Sequence, residues 1–272
     1  MARRNIFEIL SEKMDIEYEI AKIEDLLDEY IWGSCTLEEL IDNYWFLEWK
    51  QRGRCISCEE MRYRLHISNK EIKSIYKKLD KVLDYLEYLC NLLYLCERYY
   101  SEDEFEQEYF YLKENVYGLV EDLGYRMVVY DEEEKVILTE KNASTMAAAE
   151  IAPTEIAHDI LEYNHYRLKG DIEQKRKILL SFADWFEPVR KEVKSVNSVL
   201  ESNIGYMLNK MNIRHNNKVG RNASEYVANI TPVELEEWYD ETYQLLLLAM
   251  LELDNVERNR KINELKKIID GQ

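Results

Sequence analysis

The sequence predicts an all-α protein, a multi-helix bundle that carries one small β-hairpin. Three observations predict it. Apolar residues recur at helical spacing along most of the chain, as in Ile16, Ile20, Ile23 and Leu27. Boxes of the form Ser/Thr-x-x-Glu recur ahead of such stretches, and these satisfy orphan backbone donors at helix starts. Glycine (8) and proline (3) are too scarce in 272 residues for a turn-rich β fold.

Taken in order, the first helix covers residues 6–31 and stops at Gly33-Ser34. Thr36-Leu37-Glu38-Glu39 is a capping box that opens an aromatic helix holding Tyr44, Trp45, Phe46 and Trp49, which Gly53 ends. Ser57-Cys58-Glu59-Glu60 is a second box and Ser68-Asn69-Lys70-Glu71 a third. The third starts the longest helix, residues 68–99, where Ile72, Leu79, Leu86 and Leu93 recur every seven residues as a core or coiled-coil seam. Ser101-Glu102-Asp103-Glu104 caps one more helix, ending near Leu123-Gly124. Residues 1–123 are thus a first helical region.

Within residues 124–141, two β-branched and aromatic runs flank Asp131-Glu132-Glu133-Glu134 and predict the hairpin. Two strands alone are marginal, so the hairpin is expected to lie on helices. Residues 142–153 are small and polar and predict a linker. Residues 154–272 predict a second helical bundle. Its first helix runs to Lys169 before Gly170. Its second starts at Asp171, is kinked by Pro188, and reaches Met211 with a break near residues 195–198. Asn222 caps a short helix over 223–229, Thr231 and Pro232 open an apolar helix to Leu253, and residues 258–272 form a basic, partly amphipathic helix.

The net charge of −18 is uneven. Residues 1–150 carry 19 Lys/Arg against 34 Asp/Glu, whereas residues 167–221 carry 12 against 6. The overall field repels nucleic acid, so any RNA contact is confined to that basic strip. No run approaches the apolar length of a membrane span, and the opening MARRNIFEILSEKMD is broken by Glu8 and Glu12, unlike a signal peptide. Five cysteines fit free thiols in a reducing compartment, so a cytoplasmic location is expected, with no membrane partner.

Three residue groups carry candidate chemistry. The first is the polar turn Arg214-His215-Asn216-Asn217-Lys218 between two helices of the second bundle. Arginine holds phosphate oxygens and histidine titrates near neutrality, so such a turn can bind a phosphodiester and move a proton; the alternative is that Arg214 and Asn216 or Asn217 tie up helix-end carbonyls and His215 is an exposed turn residue. The second is Glu155-x-x-His158 with Glu162-x-x-His165. Di-metal bundles use this motif from two helices, but here both copies share one. The histidines would lie about 10 Å apart, so a polar stripe is the expected reading and no metal is assigned. The third is Cys55-x-x-Cys58 with His66, half of a zinc or redox site that lacks its other half, while Cys90 and Cys96 fall on the apolar stripe of the long helix. No glycine-rich phosphate loop, nucleophile elbow or H-E-x-x-H is present, and no cofactor is expected.

Arg214-His215-Asn216-Asn217 inside a four-helix unit, residues 154–255, resembles the HEPN families. These are helical bundles, many of them metal-independent ribonucleases of bacterial stress and phage-defence systems. Their motif is an arginine followed by a polar residue, with a histidine a few residues on. Here the positions for that histidine hold Val219, Gly220 and Arg221, and His215 directly follows the arginine. The resemblance implies an RNA partner and a homodimer with the motif in its cleft. Arg214 would neutralise the phosphate, His215 act as general acid or base and Asn217 orient, with Lys210, Lys218 and Arg221 holding RNA. The rival expectation is a non-catalytic interaction module that uses the long helix at 68–99 and the aromatic helix at 38–49 as partner surfaces.

Overall fold

The computed structural model describes residues 15–68, 70–215 and 230–271. The chain divides into two compact units, Met1–Glu140 and Lys141–Gln272. Among the described residues the regular structure is eleven α-helices and one two-stranded antiparallel sheet, so the predicted class holds.

In the first unit, α1 (Ile16–Leu27) is started by the Asp15 side chain, which accepts from the Tyr18 N–H at 3.1 Å. It buries Ile16, Ile20, Ile23 and Leu27, one face of a helix, against α6 (Gln107–Asp122). The Thr36–Glu39 box opens α2 (Leu37–Tyr44) as expected. This helix stops eight residues in, so the aromatic segment after it is not helical. The reason is tertiary. Trp49 Nε1, Lys50 Nζ and Gln51 Nε2 donate to the carbonyls of Glu134 (3.1 Å), Glu132 (2.8 Å) and Glu133 (2.8 Å) in the hairpin turn. The donors sit on a short 3₁₀ turn, Lys50–Arg52, and the residue before it, so the chain has left the axis of α2 before it meets the hairpin turn.

At α3 (Cys58–Leu65), Ser57 accepts from the Glu60 N–H, but the Glu60 carboxylate takes the N–H of Ile56, so the second box is only half closed. The predicted helix over 68–99 is two helices: α4 (Ile72–Ile75), then a break, then α5 (Leu79–Tyr99). Leu86 and Leu93 are fully buried within the chain, so that part of the seam is core and presents nothing to a partner. The box at 101–104 closes on a 3₁₀ turn, and α6 starts later, at Gln107.

The hairpin pairs β1 (Tyr125–Tyr130) with β2 (Lys135–Glu140), Val128 opposite Ile137. It lies on α5, as expected, and the contact is polar as well as apolar. The buried Asn91 side chain both donates to the Val136 carbonyl (2.7 Å) and accepts from its N–H (2.8 Å), while Glu87 accepts from the Leu138 N–H (2.9 Å). Two helix side chains thus occupy strand backbone groups that a third strand would otherwise take.

In the second unit the predicted linker is a helix, α7 (Ala143–Ile151). Asn142 caps it by accepting from Ser144 and Thr145, and Thr145 and Ala148 are buried. Its small residues are alanines, which favour helix over loop. Next comes α8 (Thr154–Tyr163), shorter than expected, then a 3₁₀ turn over Tyr166–Leu168 and Gly170 at φ +85°. Helix α9 (Ile172–Val196) carries Pro188 inside it and ends at Asn197, which caps α10 (Ser198–Lys210). Thr231 and Glu234 close a capping box with Pro232 at the first helical position of α11 (Pro232–Asp270). The two helices expected after Thr231 are one, and at 39 residues α11 is the longest among those described, roughly 58 Å. Phe182 and Phe186 of α9, Leu208 of α10, and Tyr239, Tyr243 and Leu246 of α11 form the centre of this unit's core. The short helix expected at 223–229 lies outside the described residues.

Candidate functional site

The polar turn is built by the end of α10. Asn212 sits at φ +57°, a left-handed conformation that asparagine tolerates. Met211, Asn212 and Ile213 are buried, so the turn is folded inward. Arg176 of α9 holds it through Nε, which donates to the Asn212 carbonyl at 2.6 Å. Arg214 adds three ties. Its N–H donates to the Leu208 carbonyl at 3.0 Å, its Nη2 donates to the Ala183 carbonyl at 3.1 Å, and its Nη1 pairs with Glu187 at 2.6 Å. Ala183 and Glu187 flank the turn of α9 that Pro188 deprives of an amide donor. The arginine singled out by its motif therefore braces one helix against the end of another. His215 beside it is exposed, and Lys210 is half-buried. Asn216, Asn217, Lys218 and Arg221 lie outside the described residues.

Two buried cations, neither legible in the sequence, repeat this bracing more strongly. In the first unit Arg62, 5% exposed, holds both oxygens of Glu24 (2.9 and 3.0 Å) and one of Glu38 (3.2 Å). Tyr85 and Tyr88 donate to the same two carboxylates at 2.5 and 2.7 Å. Burial disfavours the guanidinium, but Glu38 and Glu24 outweigh it and hold Arg62 more firmly charged than usual. In the second unit Lys175 of α9 reaches Glu236 (2.8 Å) and Asp240 (2.7 Å) of α11, and Tyr163 of α8 donates to Asp240 at 2.9 Å. Burial pushes the Tyr163 hydroxyl far up, and Asp240 adds to it. Each network joins three or more helices around a buried cation.

The metal and redox candidates dissolve in the geometry. Helix α8 ends at Tyr163, so His165 lies beyond it, with its ring against Tyr166, and does not share a helix face with His158. Among the described residues no group of three His, Cys, Asp or Glu side chains is arranged to hold a metal ion. Cys55 and Cys58 are buried free thiols, while His66 is exposed and pairs with Glu71 at 3.2 Å. Burial, with Asp42 and Glu38 nearby, pushes the Cys58 thiol far up, the opposite of what a redox nucleophile needs. Cys90 and Cys96 are buried on α5, as expected of core residues.

A different surface stands out once packing is known. The last turns of α11, residues 255–270, bury nothing. Ile262, Leu265, Ile268 and Ile269 are 48%, 53%, 79% and 70% exposed. The helix holds itself together there by ion pairs along its own surface: Arg258 with Asp254, Arg260 with Glu257 (2.7 Å) and Arg260 with Glu264 (2.6 Å). The sequence signal was present, in Ile262, Leu265 and Ile269 at positions i, i+3 and i+7 of a charged stretch.

Comparison with protein-family models, with curated proteins and with solved structures finds no match. Among the described residues no helix is long and apolar enough to cross a membrane.

Proposed function

We propose that this chain is a non-catalytic helical interaction module whose docking surface is the exposed stretch of α11. One observation carries the reading: four large aliphatic side chains stand exposed on a helix that extends past its own packing partners. Scattered exposed aliphatics are ordinary, but a clustered set on one rigid element marks a surface awaiting a partner. The surfaces first considered for this role are largely used, although Tyr44 (52%) and Leu47 (60%) stay exposed. Phe46 and Trp49 are buried against the first unit, and so are Leu86 and Leu93. A photo-crosslinking amino acid at position 265, in cells that make the protein, should yield a discrete adduct of higher mass. The same probe at position 267, on the opposite face, should not. No adduct at 265 overturns the reading.

A second reading keeps the HEPN resemblance and takes the protein as an RNA-binding or metal-independent ribonuclease-type protein of a bacterial defence system. The exposed imidazole of His215 beside Arg214 favours it. Against it, the Arg214 guanidinium already serves Glu187 and Ala183. Incubating the protein with RNA at low salt tests this directly, because a protein that neither binds nor cuts has no such function.

A further inference from the structure

Within the interaction reading, the partner's chemistry can be taken further. The exposed side of α11 follows a heptad. Leu248, Leu251, Asn255, Arg258, Ile262, Leu265 and Ile269 alternate at steps of three and four. Leu248 is 44% exposed and Leu251 half-buried, so the stripe starts at the edge of the unit and runs about 30 Å, of which about 20 Å lies along the free helix. Asn255 and Arg258 make one polar layer inside it, a device that fixes register at some expense in stability.

The positions flanking this stripe decide what lies on it. From Asn255 to Ile269 the flanking residues are Asn259, Lys261, Lys266 and Ile268, so every charge at the seam or beside it, Arg258 included, is positive. The acidic residues of the same stretch, Glu257 and Glu264, lie farther round the helix and pair with Arg260, and Glu257 also reaches Lys261 at 3.8 Å, leaving Lys266 and part of Lys261 to face a partner. The acidic residues beside the seam closer to the core are occupied as well, since Glu252 accepts from Asn197 at 3.0 Å and Asp254 pairs with Arg258. A second copy laid on this seam in parallel would set Lys261 against Lys266 of its mate. Laid antiparallel, it can set only one of the two lysines against its own equivalent in any register, because Lys261 facing Lys261 puts Lys266 level with residue 256 of the mate. The parallel arrangement opposes like charges at both lysines and the antiparallel one at a single lysine, which disfavours parallel self-pairing most.

We propose that the last turns of α11 receive an acidic amphipathic helix, forming a two-stranded coiled coil with aliphatic seam residues and glutamates or aspartates beside them. The proposal rests on the interaction reading above and narrows it to one occupant. The side chains of Lys261 and Lys266 supply selectivity, and Ile262, Leu265 and Ile269 supply the apolar contact.

The test uses the full chain and two labelled peptides of three heptads. Both carry leucine at the seam and one asparagine to meet Asn255. One has glutamate at every flanking position, the other lysine. Anisotropy titration should show the acidic peptide binding at least about tenfold more tightly than the basic one. The double variant Lys261→Glu, Lys266→Glu should invert that preference, and Ile262→Ser with Leu265→Ser should abolish binding. Equal binding of both peptides, or none of the acidic one at tens of micromolar, overturns the proposal. So does a chain that instead pairs with itself through Ile262 and Leu265 in light scattering, or that binds vesicles of anionic phospholipid through the same two residues. Failure here with a crosslinked adduct at position 265 removes only the acidic partner. Failure with no adduct removes the interaction reading too.

Discussion

The turn at Arg214 and the last turns of α11 differ in a way that reverses their apparent importance. The turn is rich in residue types associated with chemistry, yet its arginine is consumed by Glu187 and a helix carbonyl. The end of α11 is an ordinary charged helix by composition, yet its aliphatic residues have no apolar contact to fill. Residue type identifies what a side chain can do, and packing decides whether it is still free to do it. Arg62 and Lys175 make the same point from the inside, each a charge whose bonds are all spent on its own fold.

Arg62 is the most buried of these charges. Arg62→Leu leaves Glu24 and Glu38 without a cation in a site that is largely dry. A fully buried pair broken in this way loses about 3–5 kcal/mol. Because the two carboxylate side chains are 25% and 28% exposed, they relax partly into water, and a loss of roughly 2–3 kcal/mol is expected. Urea unfolding of the variant reads this directly, and an unchanged midpoint would mean that such networks brace nothing.

Arg214→Ala is the sharper test, because it sets the two readings of one residue against each other. Glu187 is half exposed, which weakens that pair, so the loss is expected at about 1–2 kcal/mol, mostly from the bond to Ala183. His215→Ala should then leave stability within about 0.5 kcal/mol. If Arg214→Ala instead spares the melting temperature and removes an RNA-dependent signal, the turn is a working site and the comparison fails.

Acid offers a smaller, graded version of the same test. Burial raises the affinity of Glu236 for a proton, but the Gly170 N–H and Lys175 outweigh it, so its carboxyl lies below the ordinary 4.5. A depressed carboxyl contributes stability above its unfolded value and loses it as the pH falls through the folded one. The second unit should therefore weaken from about pH 5 downward. Glu236→Gln should flatten that part of the stability profile, measured as urea midpoints against pH. An identical slope in the variant would exclude this carboxylate as a brace.

What the sequence made legible follows from how local each cause is. The Thr36 and Thr231 caps were readable because a hydroxyl, a carboxylate and four residues suffice to make them. The hairpin was readable from its β-branched runs. The stop at Tyr44 was not, because its cause is a set of carbonyls more than eighty residues away, at 132–134. Nor was the break before Leu79, where the seven-residue apolar period continues straight through. At the turn, Arg214 was found by its type, while its partner Glu187, one helix earlier, carried no signal of the pairing. The exposed face of α11 was half visible: the amphipathic pattern could be read, but its lack of a covering element could not.

The small effect expected at the free end of α11 is the most informative. Replacing Ile262 and Leu265 by serine in a packed helix would remove most of two buried side chains, about 2–5 kcal/mol each. On the exposed end of α11 the same changes remove only solvated methyl groups and a little helix propensity, so stability should move by no more than about 1 kcal/mol. Leu246 and Leu247, at 0% and 1% exposure on the same helix, provide the internal contrast, because Leu246→Ala should cost the full packed-core amount. One helix thus carries both kinds of aliphatic residue, fifteen to twenty positions apart. Thermal melts of the double serine variant and of Leu246→Ala, run beside the peptide titration, separate them. A double serine variant that melts like Leu246→Ala would show that the end of α11 is already packed within the chain, and the docking surface would be lost. A variant that melts like the parent and fails to bind the acidic peptide places the function in residues whose side chains the fold itself does not need.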